Sequence, residues 1–195
     1  MKGEGTGYDP DEFTTVSGAR VHVLNPNPEA IRLGDIAHGL SRVCRFGGQV
    51  GIHMSVAQHC VLVADIVKDH GGSLEEQMLG LMHDATEAYV GDVISPLKKQ
   101  LDAFHGIEAK WATAIGQTLG FGDKLANLPE IVHDADTEAF YTEWRDCFPD
   151  RAPVVGARPS PNRHVYPRAA DQAREAWLRR YDELRAALDS QAATE

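Results

Sequence analysis

Along most of this chain apolar positions recur at spacings of three and four, which is the pattern of amphipathic helices. The most regular of these segments begins after Ser73, and Glu76 follows three residues later, as in a capping box. We therefore predict a helix from about Leu74 to Tyr89.

The same periodicity predicts further helices on both sides of this segment. They are expected at 30–43, 55–70, 107–119, 129–144 and 168–190, with a short helical pattern near Pro96. Two β-prone runs, 13–16 and 20–24, flank Ser17-Gly18 and predict one small hairpin. The stretch 149–167 is rich in proline and is expected to be a surface loop. The predicted fold class is an all-α helical bundle with a small N-terminal β-hairpin.

Length and charge restrict the classes of partner. The 195 residues suffice for one domain with a single core. We expect a flexible N-terminus at 1–12 and a domain at 13–195, with its core at about 31–146 and a helix at about 168–190 that docks on it. Because 29 acidic residues oppose 19 basic ones, the net charge of -10 disfavours a polymeric nucleic acid. A phosphate-bearing partner is therefore expected to be a small molecule held in a closed pocket.

The three cysteines bear on the cellular compartment. Cys44, Cys60 and Cys147 include no Cys-x-x-Cys pair and lie within apolar patterns, which is typical of free thiols in a reducing cytosol. No signal-peptide pattern and no apolar run of about 18 residues is present in the sequence. These patterns predict a cytoplasmic protein without a membrane partner.

The segment 83–87 sets three metal-binding or proton-handling side chains beside an apolar stripe. On an unbroken helix His83 and Glu87 share a face, and Asp84 lies about 100° round from His83. Such groups are costly to bury unpaired, so they need a ligand, a metal ion or one another. We therefore expect an active site at this helix.

Five segments together resemble a known family. They are Arg45-Phe46, Ser55-Val56-Ala57-Gln58-His59, His83-Asp84-Ala85-Thr86-Glu87, 91–98 and Asp134-Ala135-Asp136. In this order they resemble the HD-domain phosphohydrolases, and more narrowly the small bacterial 5'-deoxynucleotidases and the phage dATP triphosphohydrolases. The resemblance covers roughly residues 31–144. It implies a nucleotide hydrolase of a bacterial or phage-infected cell that forms homo-oligomers, as dimers or larger assemblies.

The resemblance also implies a set of metal ligands, which are His59, His83, Asp84 and Asp136. Two imidazoles and two carboxylates suit Co, Mn, Zn, Fe or Ni and leave coordination positions open. Mg is a further possibility with a triphosphate substrate. Asp134 competes with Asp136 for the last position. The histidines that remain open to a supporting or second-metal role are His38, His53 and His133.

For catalysis, the resemblance and the position of Glu87 beside the predicted ligands agree on one role. Glu87 is expected to orient or deprotonate the attacking water without binding the metal. Asp92 follows the end of the predicted helix, where the family places a second acid for catalysis or sugar contact. The alternative for Asp92 is a turn-forming residue after Gly91.

Substrate contacts are expected from basic and aromatic side chains. Arg45 and Lys98 are candidates to hold phosphate oxygens. Arg42 is an alternative to Arg45 for the phosphate-binding arginine. The reason is that the Arg-Trp pair of the deoxynucleotidases matches Arg45-Phe46 only if one residue is deleted before His59. Phe46 would either stack on a base or fill the core.

Three classes of function remain open at this point. A metal-dependent 5'-deoxynucleotidase acting on dNMPs is favoured, and a dNTP (dATP) triphosphohydrolase is the alternative. A triphosphate carries more charge, so that alternative calls for further cations, for which the candidates are Lys98, Lys99, Arg42 and Arg163. An HD-fold di-iron oxygenase would need more histidine ligands, and a catalytically silent scaffold would be missing a ligand that this sequence has.

Overall fold

The computed structural model describes residues 9–194, so most of the expected flexible N-terminus, residues 1–8, lies outside the described residues. The predicted hairpin is present, and its strands are β1 (Glu12–Thr14) and β2 (Arg20–His22). In its turn the hydroxyls of Thr15 and Ser17 both donate to the Asp35 carboxylate, which joins the hairpin to the first helix. The hairpin is thereby anchored to the helical body.

Helices make up most of the rest. They are α1 (Leu33–Arg42), α2 (Val56–Asp69), α3 (Leu74–Met82), α4 (Glu87–Val90), α5 (Ser95–Lys98), α6 (Asp102–Leu119), α7 (Glu130–Cys147) and α8 (Ala170–Ala192). Two short 3₁₀ segments, Pro28–Ala30 and Arg45–Gly48, precede α1 and α2. The predicted all-α bundle with a small N-terminal β-hairpin is confirmed.

Helix α2 lies at the centre of the bundle, where it packs against α1, α3, α7 and α8. It begins as predicted, because the Ser55 hydroxyl accepts a hydrogen bond from the backbone N–H of Gln58 and so caps the first turn. His59 follows in the first turns and is completely buried. A polar side chain in this position needs hydrogen-bonding partners from the neighbouring helices.

The predicted continuous helix from Leu74 to Tyr89 is wrong. Helix α3 ends at Met82, and α4 begins only at Glu87. Between them the backbone closes into tight turns, in which Ala85 N–H donates to Met82 C=O and Glu87 N–H donates to Asp84 C=O. Such i to i+3 bonding brings side chains three apart onto one side. Asp84 and Glu87 are therefore close enough for the charge of Asp84 to act on Glu87.

The other helices differ from the prediction mainly at their ends. Helix α6 begins at Asp102 rather than near 107, because its first turn is mostly exposed and so has no apolar periodicity to detect. Pro129 stands immediately before α7 instead of inside its first turn. Helix α8 is shifted by two residues relative to the predicted 168–190.

The last helix docks on the bundle, as expected, with α1, α2 and α3 as its partners. Trp177 is completely buried, and its Nε1–H donates to the carbonyl of Leu81 at 3.2 Å. Because Leu81 lies two residues before His83, this contact supports the end of α3 from which the candidate site begins.

The loop between α7 and α8 contains no helix or strand, as predicted, but polar contacts anchor it. The guanidinium of Arg145 donates to the carbonyls of Ser160 and Arg163. The Arg163 side chain in turn pairs with Asp69 at 2.7 Å and with Asp65 at 3.1 Å. The loop is therefore held against α2.

Two composition-based expectations can be compared with the structure. The cysteines are all free, with Cys60 and Cys147 buried and Cys44 half-buried. Helices α1 to α8 include none that is both long enough and apolar enough to cross a bilayer, and this finding covers residues 9–194.

Candidate metal centre

Four side chains predicted as metal ligands meet where α2, α3 and α7 pack together. His59 comes from α2, His83 and Asp84 from the turn after α3, and Asp136 from α7. The Nε2 atom of His59 lies 3.3 Å from Nε2 of His83 and 3.0 Å from Oδ1 of Asp136. The Nε2 atom of His83 lies 3.1 Å from Oδ2 of Asp84 and 3.9 Å from Oδ1 of Asp136. We call these four residues the His/Asp cluster.

In both histidines Nδ1 is bound to a neighbouring residue, and Nε2 is the nitrogen that faces the cluster. Nδ1 of His59 lies 2.7 Å from a carboxylate oxygen of Glu143, and Nδ1 of His83 lies 2.8 Å from the carbonyl of Gly80. Both partners only accept hydrogen bonds, since an ionised carboxylate and a carbonyl have no proton to donate. Each Nδ1 therefore carries a hydrogen, and each Nε2 presents either a lone pair or an exchangeable proton to the carboxylates.

This arrangement fits a cation. Ligand atoms of His59, His83 and Asp84 all lie within 4.8 Å of one another, and Asp136 adds a second carboxylate from α7. Two lone pairs and two negative oxygens directed at one point repel one another unless a positive charge lies between them. The donor set, two imidazole nitrogens with carboxylate oxygens, is one that divalent transition metals accept.

The titration behaviour follows from the same contacts. Burial lowers the pKa of both histidines, but nearby carboxylates outweigh it, so Glu143 with Asp136 raises the pKa of His59 and Asp84 raises that of His83 well above its usual range. Burial opposes ionisation of the aspartates, yet the histidines lower the pKa of Asp84 and bring that of Asp136 to about 2. Without a cation, protons on the imidazoles balance the carboxylates.

Glu87 lies at the edge of the cluster with an unusual environment. It is 5% exposed, and its Oε2 atom is buried without a hydrogen-bond partner among the described residues. Burial, followed by the charges of Asp84 and Asp92, raises the pKa of Glu87 to about 10. A buried oxygen with a free lone pair is available to a bound water or substrate.

Asp92 and Lys98 belong to the same electrostatic environment. Burial raises the pKa of Asp92, partly offset by Arg45, and Asp84 raises it further. Lys98 is close enough to Glu87 and Asp84 to respond to their charges, but its Nζ pairs with Glu108 at 2.6 Å. The structure thus brings both predicted residues near the cluster, with Lys98 already engaged by a carboxylate.

The two rival arginines occupy different places. Arg45 is largely buried, donates from Nε to Glu143 at 2.9 Å, and has Nη1 3.8 Å from Asp84. Arg42 instead pairs with Asp171 of α8 at 3.0 Å and has no contact with the cluster within the described chain. Of the two, Arg45 is therefore the one that the structure brings to the site.

The competing aspartates of α7 also point in different directions. Asp134 is exposed, whereas Asp136 faces the histidines, because a shift of two positions on a helix turns a side chain by about 200°. Of the remaining histidines considered, His53 and His133 are exposed and His38 is half-buried, and in the part of the chain covered by the structure none contacts the cluster.

Phe46 packs among aromatic side chains. Its ring centroid lies 5.9 Å from that of Phe140 and 5.1 Å from that of Phe148, and the Arg45 guanidinium stands over it at 5.6 Å. Its backbone has φ 58°, in the left-handed region that costs a non-glycine residue free energy. Arg45 itself is held beside the start of α2, because its backbone N–H donates to the carbonyl of Met54 at 2.8 Å, while Phe46 packs on α7.

Glu143 belongs to the site but was not predicted from the sequence. This side chain is fully buried and binds both His59 and Arg45. The helical spacing in the sequence could have indicated this residue, because Glu143 lies about two helical turns beyond Asp136 and shares its face with buried Ala139. An acidic residue on the buried face of a helix is rarely left unpaired.

The fold and the site define the class of protein: an all-α bundle in which two histidines and two aspartates from three helical segments form one cluster. No family model matches the chain. It is 33% identical over 174 residues to YfdR, an uncharacterized protein of Escherichia coli K12, in an alignment that covers 87% of this chain and 93% of YfdR. The chain belongs to the same family as YfdR.

A second relative comes from Rhodobacter capsulatus. It is the uncharacterized protein RCAP_rcc00048, and it is 39% identical over 128 residues. This alignment covers 63% of the chain and 65% of the relative. Neither name describes an activity, so the chemical interpretation depends on the geometry of the site and on the sequence motifs.

Proposed function

We propose that this protein is a metal-dependent phosphohydrolase of small deoxynucleotides, and specifically a 5'-deoxynucleotidase that releases phosphate from dNMPs. The observation that carries the proposal is the convergence of the two Nε2 atoms with Asp84 and Asp136, the closest pair being 3.0 Å apart. The same cluster is bordered by an arginine and by a buried carboxyl group, one oxygen of which has no hydrogen-bond partner among the described residues. The order of the motifs along the chain supports the choice of phosphoryl chemistry.

In this proposal His59, His83, Asp84 and Asp136 hold a divalent cation, with Co, Mn, Zn, Fe and Ni as the candidates. When bound, such a cation supplies Lewis acidity toward a phosphoryl oxygen and toward water. Nδ1 of His59 donates its hydrogen to Glu143, and Nδ1 of His83 donates to the Gly80 carbonyl, so that Nε2 of each histidine is the atom that would bind the cation.

Arg45 would hold the phosphate. Its Nε is occupied by Glu143, so its two terminal nitrogens remain to face the cluster, where Nη1 stands 3.8 Å from Asp84. A guanidinium held at one edge binds phosphate oxygens with little loss of side-chain freedom. Asp92, whose charge contributes to the raised pKa of Glu87, would contact the sugar.

Glu87 would accept a proton from the attacking water at Oε2, the atom that has no hydrogen-bond partner in residues 9–194. Without a cation this carboxyl group holds its own proton, since its pKa is raised to about 10 by burial and by Asp84 and Asp92. A nearby positive charge favours the ionised form. Glu87 is therefore expected to be ionised, and able to take up a proton, in the metal-loaded protein.

The distribution of cations favours a monophosphate. Of the four basic residues considered for extra phosphates, three are already in ion pairs: Lys98 with Glu108, Arg42 with Asp171, and Arg163 with Asp65 and Asp69. Lys99 is exposed on the surface. Arg45 is also in an ion pair, but it binds Glu143 through Nε, so its terminal nitrogens stay available to a phosphate. Among the described residues Arg45 is therefore the best-placed cation at the cluster, which matches a substrate with one phosphate better than one with three.

The test is product analysis by ion-exchange chromatography. Metal-stripped protein resupplied with Co²⁺, Mn²⁺ or Zn²⁺ is incubated with each dNMP, each dNTP and their ribonucleotide forms. Asp136→Asn is expected to lose turnover, whereas Asp134→Asn, an exposed neighbour on the same helix, is the control that keeps it.

Phosphate and nucleoside released from dNMPs would support the 5'-deoxynucleotidase. Release of triphosphate from dATP would replace it with the dNTP triphosphohydrolase. Absence of turnover with every metal and nucleotide would overturn the proposal. The di-iron oxygenase and the catalytically silent scaffold would then be the functions to test.

A further inference from the structure

One buried carboxylate is shared between a proposed metal ligand and the arginine beside the cluster. Oε1 of Glu143 lies 2.7 Å from Nδ1 of His59, and Oε2 accepts from Nε of Arg45 at 2.9 Å. The side chain of Glu143 is 0% exposed, so water does not compete for either oxygen. Both oxygens of a single group are thus committed to side chains that face the same point.

We infer that Glu143 is a positioning residue that sets His59 and Arg45 toward one site through its two carboxylate oxygens. Oε1 keeps the hydrogen of His59 on Nδ1 and so directs the lone pair of Nε2 at the cluster. Oε2 fixes the guanidinium plane of Arg45 and leaves its terminal nitrogens toward Asp84. The inference rests on the proposed metal centre, but it does not depend on which nucleotide is the substrate.

A purely stabilising role explains this arrangement less well. Burial of Arg45 and Glu143 removes two charges from water, and buried ion pairs can often be replaced by apolar residues without loss of stability. Glu143 also binds Nδ1 of His59, whose other nitrogen faces the cluster, and a stabilising ion pair with Arg45 has no need of that second contact. The geometry is accounted for when the function of Glu143 is to orient two neighbours.

Helix α7 makes the arrangement rigid. Glu143 and Asp136 stand about two turns apart on the side of the helix that faces α2, with fully buried Ala139 between them. One helix therefore provides both a proposed ligand and the residue that orients a second ligand on α2. Displacement of α7 would change both contacts together.

The experiment measures Co²⁺ affinity of the full chain by visible absorption and by calorimetry, which requires no substrate. Glu143→Gln keeps the size of the side chain, but its amide can accept from only one of the two donors. The matched control is Glu138→Gln on the same helix, which removes a carboxylate bound to His70 at 3.0 Å, away from the cluster.

Glu143→Gln is expected to weaken Co²⁺ binding by about 10- to 100-fold and to alter the visible spectrum, while Glu138→Gln leaves both unchanged. Equal affinity and an unchanged spectrum in wild type and Glu143→Gln would overturn the inference and leave the metal centre standing. A wild type that binds no Co²⁺, Mn²⁺ or Zn²⁺ would overturn the metal centre itself and the inference with it.

A second variant covers the case in which Glu143→Gln does not fold. Glu143→Asp keeps the charge but is shorter by one methylene, so it cannot reach His59 and Arg45 at their present distances together. Its Co²⁺ affinity is expected to be lower than that of the wild type. Unchanged affinity in Glu143→Asp would count against a positioning role.

Discussion

Replacement of Glu87 by Gln should make the metal-free protein more stable and lower the proposed hydrolysis of dNMPs. The carboxyl group of Glu87 is buried, has an oxygen without a partner among the described residues, and has its pKa raised from 4.5 to about 10. The unfolded chain releases that proton near the usual pKa. Because the folded pKa is raised, the stabilising contribution is present at low pH and is lost as the pH rises from 4.5 toward about 10.

The size of the effect follows from the distance between the two pKa values. Each pH unit in that window costs about 1.4 kcal/mol, so at about pH 7 the penalty on the free energy of unfolding is at most ~3.5 kcal/mol. Gln has nearly the same shape and does not titrate, so Glu87→Gln removes the penalty. For a chain of this length, ~3.5 kcal/mol corresponds to a rise in melting temperature of roughly 7–14 °C.

The assay is thermal unfolding followed by circular dichroism, with chelator-treated protein at about pH 5 and about pH 7. The difference between the two pH values is the informative quantity, because any constant cost of the buried amide cancels. Glu130→Gln, an exposed residue in the first turn of α7, is the control and should show no such difference.

A change in melting temperature that is the same at both pH values would refute this account of Glu87. In the metal-loaded protein the same variant should lower dNMP turnover by about 10²- to 10⁴-fold, the usual contribution of a general base. Stability gained together with activity lost is the expected behaviour of a buried group that is retained for function at a cost in stability.

Three further predictions concern the cation and the packing around it. Metal binding should release protons, because the cluster histidines have raised pKa values, and metal affinity should therefore increase as the pH rises above 6.5. Calorimetry in buffers of different ionisation enthalpy counts the released protons, and zero release would contradict the prediction. Gly39→Ala should lower the free energy of unfolding by about 1–3 kcal/mol, since the new Cβ would meet the backbone oxygen of Ala88 at 2.7 Å. Gly34→Ala on the same helix has open space around the new Cβ and should leave stability unchanged. Urea unfolding of the two variants tests this difference. Trp177→Phe should cost about 1–3 kcal/mol in the same assay through the lost hydrogen bond to Leu81, and an unchanged midpoint would show that this contact contributes nothing.

The proposed ligands were predictable because their types and order carry the signal. His59, His83, Asp84 and Asp136 lie far apart in the sequence and meet in the structure as the motif order indicates. The role of Glu143 was not predictable in the same way, because it arises only from partners on α2 and on the segment before it. Tertiary contacts of this kind have no local pattern.

The sequence pattern also did not predict two local features of the backbone, the break after α3 and the course of the chain after α1. The break after Met82 occurs without a glycine or proline, so periodicity alone predicts that the helix continues. The choice between Arg42 and Arg45 depends on the direction of the chain after α1, where Cys44 pairs with Ser55 and the Arg45 N–H donates to the Met54 carbonyl. Two positions three apart in sequence thus point to different neighbours for reasons that only the fold reveals.

The contact between the first long helix and the last one has a consequence for the order of folding. Helix α8 packs on α1, α2 and α3, and its Trp177 fills the interior behind Leu81. As synthesis proceeds from α1 toward α8, the apolar faces of the earlier helices stay uncovered until α8 follows. Contacts this distant along the chain also slow folding, because a long loop must close before they form. We therefore expect the nascent bundle to depend on chaperones for longer than a bundle whose neighbouring helices are also consecutive in sequence.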